Sequence, residues 1–248
     1  MADSSSAASA AIAARGLGFD WPGGVVALEG VTLDVAAGEK VALLGSNGAG
    51  KSTLLRLLAG RLEPARGSLE LFGRPQGRPA SGRSAYLPQE TELDPEMTAG
   101  ETFELIAALL GLPDPQARIA AVAEKFGLGG RLETPVAELS GGFRRRLDLA
   151  LFLLEEKELL LLDEPAAGLD AEGGEILLAE LERRAAAGAA IVLAGHDLDW
   201  LGRLTRRAVL LAGGRLAAKG APGDFTAAAT GARSGAGPGP GRGRGPRR

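Results

Sequence analysis

The order of hydrophobic and polar positions predicts strands along much of the chain. Residues 12–35 alternate apolar and polar positions, and Trp21-Pro22-Gly23-Gly24 interrupts them, so we expect an antiparallel pair of strands. The run 159–162 is continuously apolar, which is typical of a central parallel strand covered on both faces. Further strands are predicted at 40–44, 67–72, 84–87 and 189–194, with a hairpin formed by 206–212 and 215–219.

Helical periodicity appears between these strands and in one longer block. Residues 51–59 and 171–186 fit helices that alternate with strands, which predicts an α/β fold. Residues 98–110, 115–126 and 140–154 predict three helices with no strand between them. We therefore expect one domain over 12–230, with an inserted helical subdomain at about 95–155 and a loose N-terminus at 1–11.

Composition excludes several kinds of site. The chain has 248 residues, no cysteine and one histidine, so disulfides, thiol nucleophiles, zinc fingers, iron–sulfur ligation and sites with two histidines are excluded. The single asparagine, Asn47, excludes the guanine-reading motif of GTPases. The longest apolar runs have six residues, whereas a membrane helix needs about 18. Because the start also lacks the features of a signal peptide, we expect a cytosolic protein.

The charge of the chain is unevenly distributed. The net charge is −3, but residues 231–248 hold five arginines and no acidic residue. The rest of the chain is therefore acidic, which argues against a broad nucleic-acid-binding face. The Gly/Pro/Arg composition of 231–248 predicts a disordered, solvated tail. An RNA-binding or lipid-binding arm is the alternative for this tail.

A glycine-rich segment predicts a phosphate-binding loop. The sequence Gly45-Ser46-Asn47-Gly48-Ala49-Gly50-Lys51-Ser52-Thr53 fits G-x-x-x-x-G-K-[ST] between a predicted strand and a predicted helix. Glycines let successive N–H groups point at phosphate oxygens, and the helix presents its positive end to the same anion. Lys51 would supply a point charge for the β- and γ-phosphates, and Ser52 a hydroxyl ligand for Mg²⁺.

Two further motifs fit a nucleotide site. The strand at 159–162 ends in Asp163 and Glu164, which places two carboxylates at the ligand-binding edge of an α/β sheet. Asp163 would hold Mg²⁺, and Glu164 would polarise a water for attack on the γ-phosphate. Ser140-Gly141-Gly142 precedes an arginine-rich helix, where it would bind an anion or serve as an ordinary helix cap.

Together and in this order, these motifs resemble the nucleotide-binding subunit of an ABC transporter over about residues 12–225. The resemblance implies a P-loop NTPase core with a mixed, mainly parallel sheet, an N-terminal antiparallel β-subdomain and an inserted α-helical subdomain. It implies ATP and Mg²⁺ as cofactors, and a homodimer or heterodimer arranged head to tail. Ser140, Gly141 and Gly142 of one subunit would then cap the ATP held by the phosphate loop of the other.

Four more positions match functional residues of that family. Gln89 matches the glutamine that contacts Mg²⁺ and the attacking water, and Asp170 matches the loop that crosses the dimer interface. Asp170 would also cap the helix that begins at 171. His196 matches the histidine that senses the γ-phosphate. Trp21 matches the aromatic residue that stacks on adenine, and the alternative is a structural tryptophan in the core or in a turn.

The resemblance also implies a place in the cell and a partner. The chain would attach to the cytoplasmic face of a membrane and drive transport through a separate membrane-spanning subunit, docked between the core and the helices of 98–130 near Gln89. The sequence departs from the family at Phe143, often glutamine, and at Ser46, often proline. Residues 143–150 are similar to drug-export and related type-2 ATPases. A soluble ABC ATPase, such as one of iron–sulfur assembly, is the alternative, although the run Phe143-Arg144-Arg145-Arg146 does not resemble it.

Overall fold

The computed structural model describes residues 10–75 and 82–225, which form two β-sheets and six α-helices. The strands are β1 Ala10–Trp21, β2 Val25–Ala36, β3 Lys40–Leu44, β4 Arg66–Leu71, β5 Arg74–Pro75, β6 Ser84–Leu87, β7 Leu159–Asp163, β8 Ala190–Ala194, β9 Arg207–Ala212 and β10 Arg215–Gly220. The helices are α1 Lys51–Leu58, α2 Ala99–Leu110, α3 Pro115–Lys125, α4 Gly141–Phe152, α5 Ala171–Ala186 and α6 Leu198–Leu204.

The smaller sheet is antiparallel and has the strand order β2-β1-β4-β5. The predicted pairing of the first two strands around residues 21–24 is confirmed. The prediction of a loose N-terminus at 1–11 is wrong for its last two residues, because β1 already begins at Ala10 and Ala11 is buried. The two-residue strand β5 was not predicted, since it is too short to show a period of two.

The larger sheet has the order β10-β9-β3-β8-β7-β6 and is parallel except for the hairpin of β9 and β10. Alternate residues of its central strands enter two different cores. Leu160 and Leu162 pack towards α4, α5 and the helical block, whereas Leu159 and Leu161 pack towards α1 and the antiparallel sheet. Burial on both faces explains why this strand is apolar at every position.

The carboxyl ends of the parallel strands meet at one edge of the sheet. β8 lies between β3 and β7, and all three run in the same direction. The loop after β3 therefore lies near the residues that follow β7 and β8. This is the edge at which α/β sheets bind ligands.

The helical block forms where the hydrophobic pattern predicts it. Thr98 caps α2 in a reciprocal arrangement with Glu101, and Phe103 and Phe126 bury their rings against the core. The seven-residue helix α6 was not predicted, because it is too short to show helical periodicity. The α/β fold with an antiparallel N-terminal sheet is confirmed. The other domain boundaries stay predictions, and the segment 231–248 lies outside the described residues.

Within the ranges 10–75 and 82–225, no helix combines the length and the apolar character that crossing a bilayer requires.

Candidate active site

Two glycines of the phosphate loop are required by close backbone contacts. Gly45 has φ +147°, and a Cβ there would lie 2.4 Å from the carbonyl oxygen of Leu211. Gly50 has φ +105°, and a Cβ there would lie 2.7 Å from the carbonyl oxygen of Ala27. Neither position accepts a larger residue, because backbone presses on the loop from β9 and β2.

Lys51 begins α1 and folds back over this loop. Its Nζ donates to the carbonyl oxygen of Gly45 at 2.8 Å and to that of Ser46 at 3.2 Å. The side chain is buried, so the ammonium is held at the loop by two fixed acceptors. A cation in this position can meet a phosphate bound at the helix N-terminus.

One cleft of about 320 Å³ collects most of the predicted nucleotide-binding residues, a volume within the usual range for small-molecule sites. The predicted residues that line it are Trp21, Asn47, Gly48, Gly50, Lys51, Ser52, Thr53, Gln89, Asp163 and Glu164. The cleft also has an apolar wall that the sequence analysis missed, made by Val25, Val26 and Ala27. Both valines are more than half exposed, and their sequence signal is an apolar run directly after a turn.

Three residues of the loop do not line the cleft. Gly45 and Ala49 face the protein, where Ala49 is buried and its carbonyl accepts from the N–H of Gly214 at 3.2 Å. Ser46 contributes its carbonyl oxygen to Lys51. These three residues shape the loop but do not form part of the wall of the cleft.

Trp21 lies at the end of β1 with its ring edge-on to Phe19, the centroids 5.0 Å apart. This arrangement is favourable for two aromatic rings and restrains the indole. The indole lines the cleft together with the valine wall, where a flat apolar ligand group could stack.

The two carboxylates after β7 have different environments. Asp163 is the last residue of the strand and is buried. Glu164 has a left-handed backbone with φ +49°, which is strained for a residue with a side chain. Its N–H donates to the carbonyl oxygen of Ala194 at 3.0 Å. The turn therefore aims the Glu164 carboxylate into the cleft directly after the strand ends.

His196 reaches the site through Glu164. The distance between its Nδ1 and Oε2 of Glu164 is 2.9 Å, and its side chain is 66% exposed. It does not line the main cleft. It lines a smaller adjoining pocket, which shares Glu164 with the cleft and includes Trp200. The structure thus joins the predicted base and the predicted histidine, which stand after neighbouring strands.

The Ser-Gly-Gly motif lies apart from the phosphate loop. The Ser140 hydroxyl caps α4 by accepting from the N–H of Phe143 at 3.4 Å, as the helix-cap reading predicted. Asp170 caps α5 by accepting from the N–H of Gly173 at 3.0 Å. Ser140, Gly142 and Asp170 line a second pocket that shares no residue with the nucleotide cleft. Gly141 is exposed at the start of α4 and does not line that pocket.

Two arginines, Arg131 and Arg146, pack around this second pocket. Arg146 is buried and donates to the carboxylate of Asp170 at 2.7 Å, and this hydrogen bond lowers the pKa of Asp170. The ring of Phe143 carries the guanidinium of Arg131 at 3.9 Å and that of Arg146 at 5.4 Å. Phe143, which cannot replace a glutamine as a polar partner, thus packs by cation–π contacts instead.

The fold and this site define a nucleoside-triphosphate-binding α/β protein. A model of the ABC transporter family matches residues 28–167. Nod factor export ATP-binding protein I of Paraburkholderia xenovorans (strain LB400) is 35% identical over 209 residues, or 82% of this chain and 69% of that protein. Its counterpart in Cupriavidus pinatubonensis is 36% identical over 208 residues, or 82% of this chain and 64% of that protein.

Solved structures agree with the family match. A structure described as the ATP binding subunit of an ABC transporter has a TM-score of 0.76 and 33% identity, and it covers 86% of this chain and 90% of its own. The protein cbiO1 from Clostridium perfringens, part of the ABC transporter complex cbiONQ, has a TM-score of 0.75 and 26% identity over 87% of this chain and 90% of its own. The chain belongs to the ABC transporter family, as an ATP-binding and ATP-hydrolysing subunit. These findings support the transporter interpretation and not the iron–sulfur alternative.

Proposed function

We propose that the chain hydrolyses ATP in the cleft between the phosphate loop and the end of β7, and that this hydrolysis powers a membrane-spanning partner. The observation that carries the proposal is the convergence of Lys51, Gln89, Asp163 and Glu164 on one cleft. The chain brings them together from three separate segments, since Asp163 and Glu164 are adjacent. A cation for phosphate, oxygen ligands for a metal and a base for water are the parts that phosphoryl transfer needs.

The residues of the cleft suit Mg²⁺ and the phosphates. Ser52, Gln89 and Asp163 offer a hydroxyl, an amide oxygen and a carboxylate in the same cleft, and Mg²⁺ prefers such oxygen ligands. When bound, Mg²⁺ would neutralise charge on the phosphate oxygens. The loop N–H groups and Lys51 would bind the β- and γ-phosphates, while Trp21 would stack on the adenine.

Glu164 is the proposed general base. Its carboxylate lines the cleft and is oriented by His196 at 2.9 Å. In this role it takes the proton of a water that attacks the γ-phosphate in line. His196 contacts this carboxylate and is exposed beside it, so in this role it would also contact the γ-phosphate of a bound nucleotide.

Two chains would complete each site. The pocket of Ser140, Gly142 and Asp170 shares no residue with the nucleotide cleft of the same chain. It contains the N-terminus of the twelve-residue helix α4, whose positive end favours an anion. We propose that this pocket caps the ATP held by a second chain, and that Asp170 stands at the interface.

The transport partner is proposed from the relatives and from one apolar surface. The relatives are named for Nod factor export, and cbiO1 is part of a transporter complex. Helix α2 exposes Leu105, Leu109 and Leu110 at 46%, 74% and 42%. Such a cluster supports docking of a membrane subunit onto the helical block, with the chain attached to the cytoplasmic face of the membrane.

Replacing Glu164 with glutamine tests the catalytic site. The variant should bind ATP as the wild type does, because the phosphate loop is untouched. Hydrolysis should fall by roughly 10²–10⁴-fold, the usual contribution of a general base. Phosphate release and equilibrium ATP binding are measured, with Glu175→Gln as the control, since Glu175 pairs with Arg203 on the surface. Near-normal turnover of Glu164→Gln would remove Glu164 from the role of base.

Replacing Gly142 with aspartate tests the composite site. A Cβ at Gly142 would lie 3.8 Å from the carbonyl oxygen of Gly168, which is ordinary contact, so the variant should fold. Its carboxylate would repel the γ-phosphate of the partner's ATP. We expect loss of ATP-dependent dimerisation in sedimentation, with nucleotide binding to the monomer retained.

Gly223→Asp is the matched control, because a Cβ there meets nothing within 4 Å and the residue is outside both pockets. Wild-type specific activity should also rise with protein concentration and then level off. Normal hydrolysis by Gly142→Asp, or a flat concentration dependence of the wild type, contradicts the two-chain site.

A further inference from the structure

Arg145 is a buried arginine that touches both sides of the catalytic cleft from behind. It lies in α4 and is 7% exposed. Its Nη2 donates to the carbonyl oxygen of Glu164 at 2.9 Å, and its Nη1 donates to the carbonyl oxygen of Gln89 at 3.3 Å. One planar guanidinium therefore bridges the segment after β7 and the segment after β6.

The bond to Glu164 falls where the backbone is strained. Glu164 has φ +49°, a conformation that persists only when its surroundings fix it. Four contacts do so here. Ala194 accepts from its N–H at 3.0 Å, His196 contacts its carboxylate at 2.9 Å, and Arg145 donates to its carbonyl. The N–H of Ala167 donates to the same carbonyl oxygen at 3.2 Å. Arg145 is the side chain that acts on this peptide, which follows the strained residue.

No carboxylate in the described part of the chain lies within hydrogen-bond distance of the Arg145 guanidinium. The nearest paired oxygen is Oδ2 of Asp148, 3.8 Å from Nη1, beyond hydrogen-bond distance. Burial raises the pKa of Asp148 to about 6, although Arg145 and Arg144 oppose the shift. Among the described residues, Asp148 Oδ1 and Arg145 Nε have no hydrogen-bond partner. The short contacts of this guanidinium are thus with the two carbonyl oxygens.

We infer that Arg145 is a positioning residue, which holds the backbone of Glu164 and Gln89 in register and so sets where the base stands relative to the glutamine. The inference rests on the proposed function, because it assigns Arg145 an effect only through those two residues. Arg145 itself does not line the nucleotide cleft. Its loss should therefore change the rate of hydrolysis and leave nucleotide binding unchanged.

The first test compares Arg145→Met with Arg144→Met. Arg144 is the adjacent residue of the same helix and is exposed, so it controls for loss of a charge from α4. A misplacement of about 1 Å can lower a rate by roughly 10²-fold. We expect kcat of Arg145→Met to fall by about 10- to 100-fold, while KM and the Kd for ATP stay within about twofold. Arg144→Met should match the wild type.

Companion variants separate positioning from folding. Arg145→Met leaves Asp148 buried without its cation, so the double variant Arg145→Met/Asp148→Asn removes that charge as well. Asp148→Asn alone keeps both carbonyl bonds and should hydrolyse ATP at close to the wild-type rate. The double variant should be as slow as Arg145→Met, with an unfolding midpoint near that of Asp148→Asn. Arg145→Lys keeps the charge without the planar fork and should recover part of the rate.

The last test combines Arg145→Met with Glu164→Gln. If Arg145 acts through Glu164, adding Arg145→Met to Glu164→Gln should alter the residual rate of Glu164→Gln by less than about twofold. The reason is that the effects of residues that act as one unit are not additive. Full activity of the folded double variant Arg145→Met/Asp148→Asn overturns the inference. So does a rate for Arg145→Met/Glu164→Gln that is lowered by the product of the two single effects. Either result leaves the proposed function standing. Wild-type turnover by Glu164→Gln refutes the proposed base, and the inference with it.

Discussion

Replacing Glu180 with glutamine should destabilise the fold by about 2–4 kcal/mol at neutral pH. Glu180 lies in α5 and is 4% exposed. Its carboxylate accepts from Lys125 at 2.6 Å, from Arg183 at 2.7 Å and from Arg184 at 2.7 Å. Lys125 belongs to α3, so this buried carboxylate ties the helical block to the core. The glutamine keeps the shape of the side chain and removes its charge.

The magnitude follows from the pKa of this group. Burial alone would raise the pKa of Glu180, but hydrogen bonds from Arg183, Lys125 and Arg184 outweigh it and lower the pKa from 4.5 to about 2. This shift corresponds to roughly 3 kcal/mol. Lys125 and Arg183 are 42% and 47% exposed, so solvent screening reduces the figure to about 2.

The variant also strands a buried cation. Arg184 is 4% exposed and loses its carboxylate, although it keeps hydrogen bonds to the carbonyl oxygens of Leu153 and Glu155. Breaking a fully buried pair by removing one partner typically costs about 3–5 kcal/mol. The remaining acceptors of Arg184 lower that figure, and the expected loss is therefore between about 2 and 4 kcal/mol.

The pH dependence has a definite sign. The folded-state pKa lies below the unfolded value, so the contribution is present in full above the unfolded pKa of 4.5. It is lost as the pH falls through about 2. The difference in stability between the wild type and Glu180→Gln should therefore be constant near neutral pH and shrink between about pH 5 and pH 2.

Urea unfolding of both proteins at pH 7, 5 and 3.5 measures this difference. Glu182→Gln is the control, because Glu182 lies on the same helix, is 50% exposed and pairs with Lys40 at the surface. A surface pair contributes about 0–1 kcal/mol, so this control should change little. Equal losses for the two variants, or a Glu180→Gln deficit that is the same at pH 7 and pH 3.5, would refute the reasoning.

Two further changes test the nucleotide cleft. Lys51→Ala should weaken ATP binding in calorimetry, because the β- and γ-phosphates lose the lysine cation held at Gly45 and Ser46, and an unchanged affinity would contradict the phosphate-loop assignment. Trp21→Ala should weaken ATP and GTP binding similarly, by about 1–3 kcal/mol, because stacking does not read base edges. Unchanged affinity for both nucleotides would return Trp21 to a purely structural role on Phe19.

Much of the local structure could be predicted from the sequence. The helix at 171–186 has the predicted bounds, and the predicted caps at Ser140 and Asp170 are confirmed. The strand at 159–162 is present and extends by one residue to Asp163. These features depend on periodicity, capping chemistry and continuous apolar runs, all of which act over a few residues.

The candidate site was predictable only in part. The motifs around Lys51 and Asp163 are short residue patterns that are recognisable along the chain, so the sequence identified them before any fold was known. Val25 and Val26 belong to no recognisable motif. They form a wall of the cleft only because the antiparallel sheet packs against the loop. The short elements β5 and α6 also escaped, since neither is long enough to show a period.

The sequence by itself determined the longer strands and helices, the phosphate loop and the identity of the charged groups, because these depend on neighbours along the chain. Tertiary structure decided which groups meet. The order of β3, β8 and β7 brings His196 to Glu164, although 32 residues separate them. The same packing places Arg145 against the carbonyl of Gln89, 56 residues away. Such contacts follow from strand order and helix packing, which no local pattern of residues encodes.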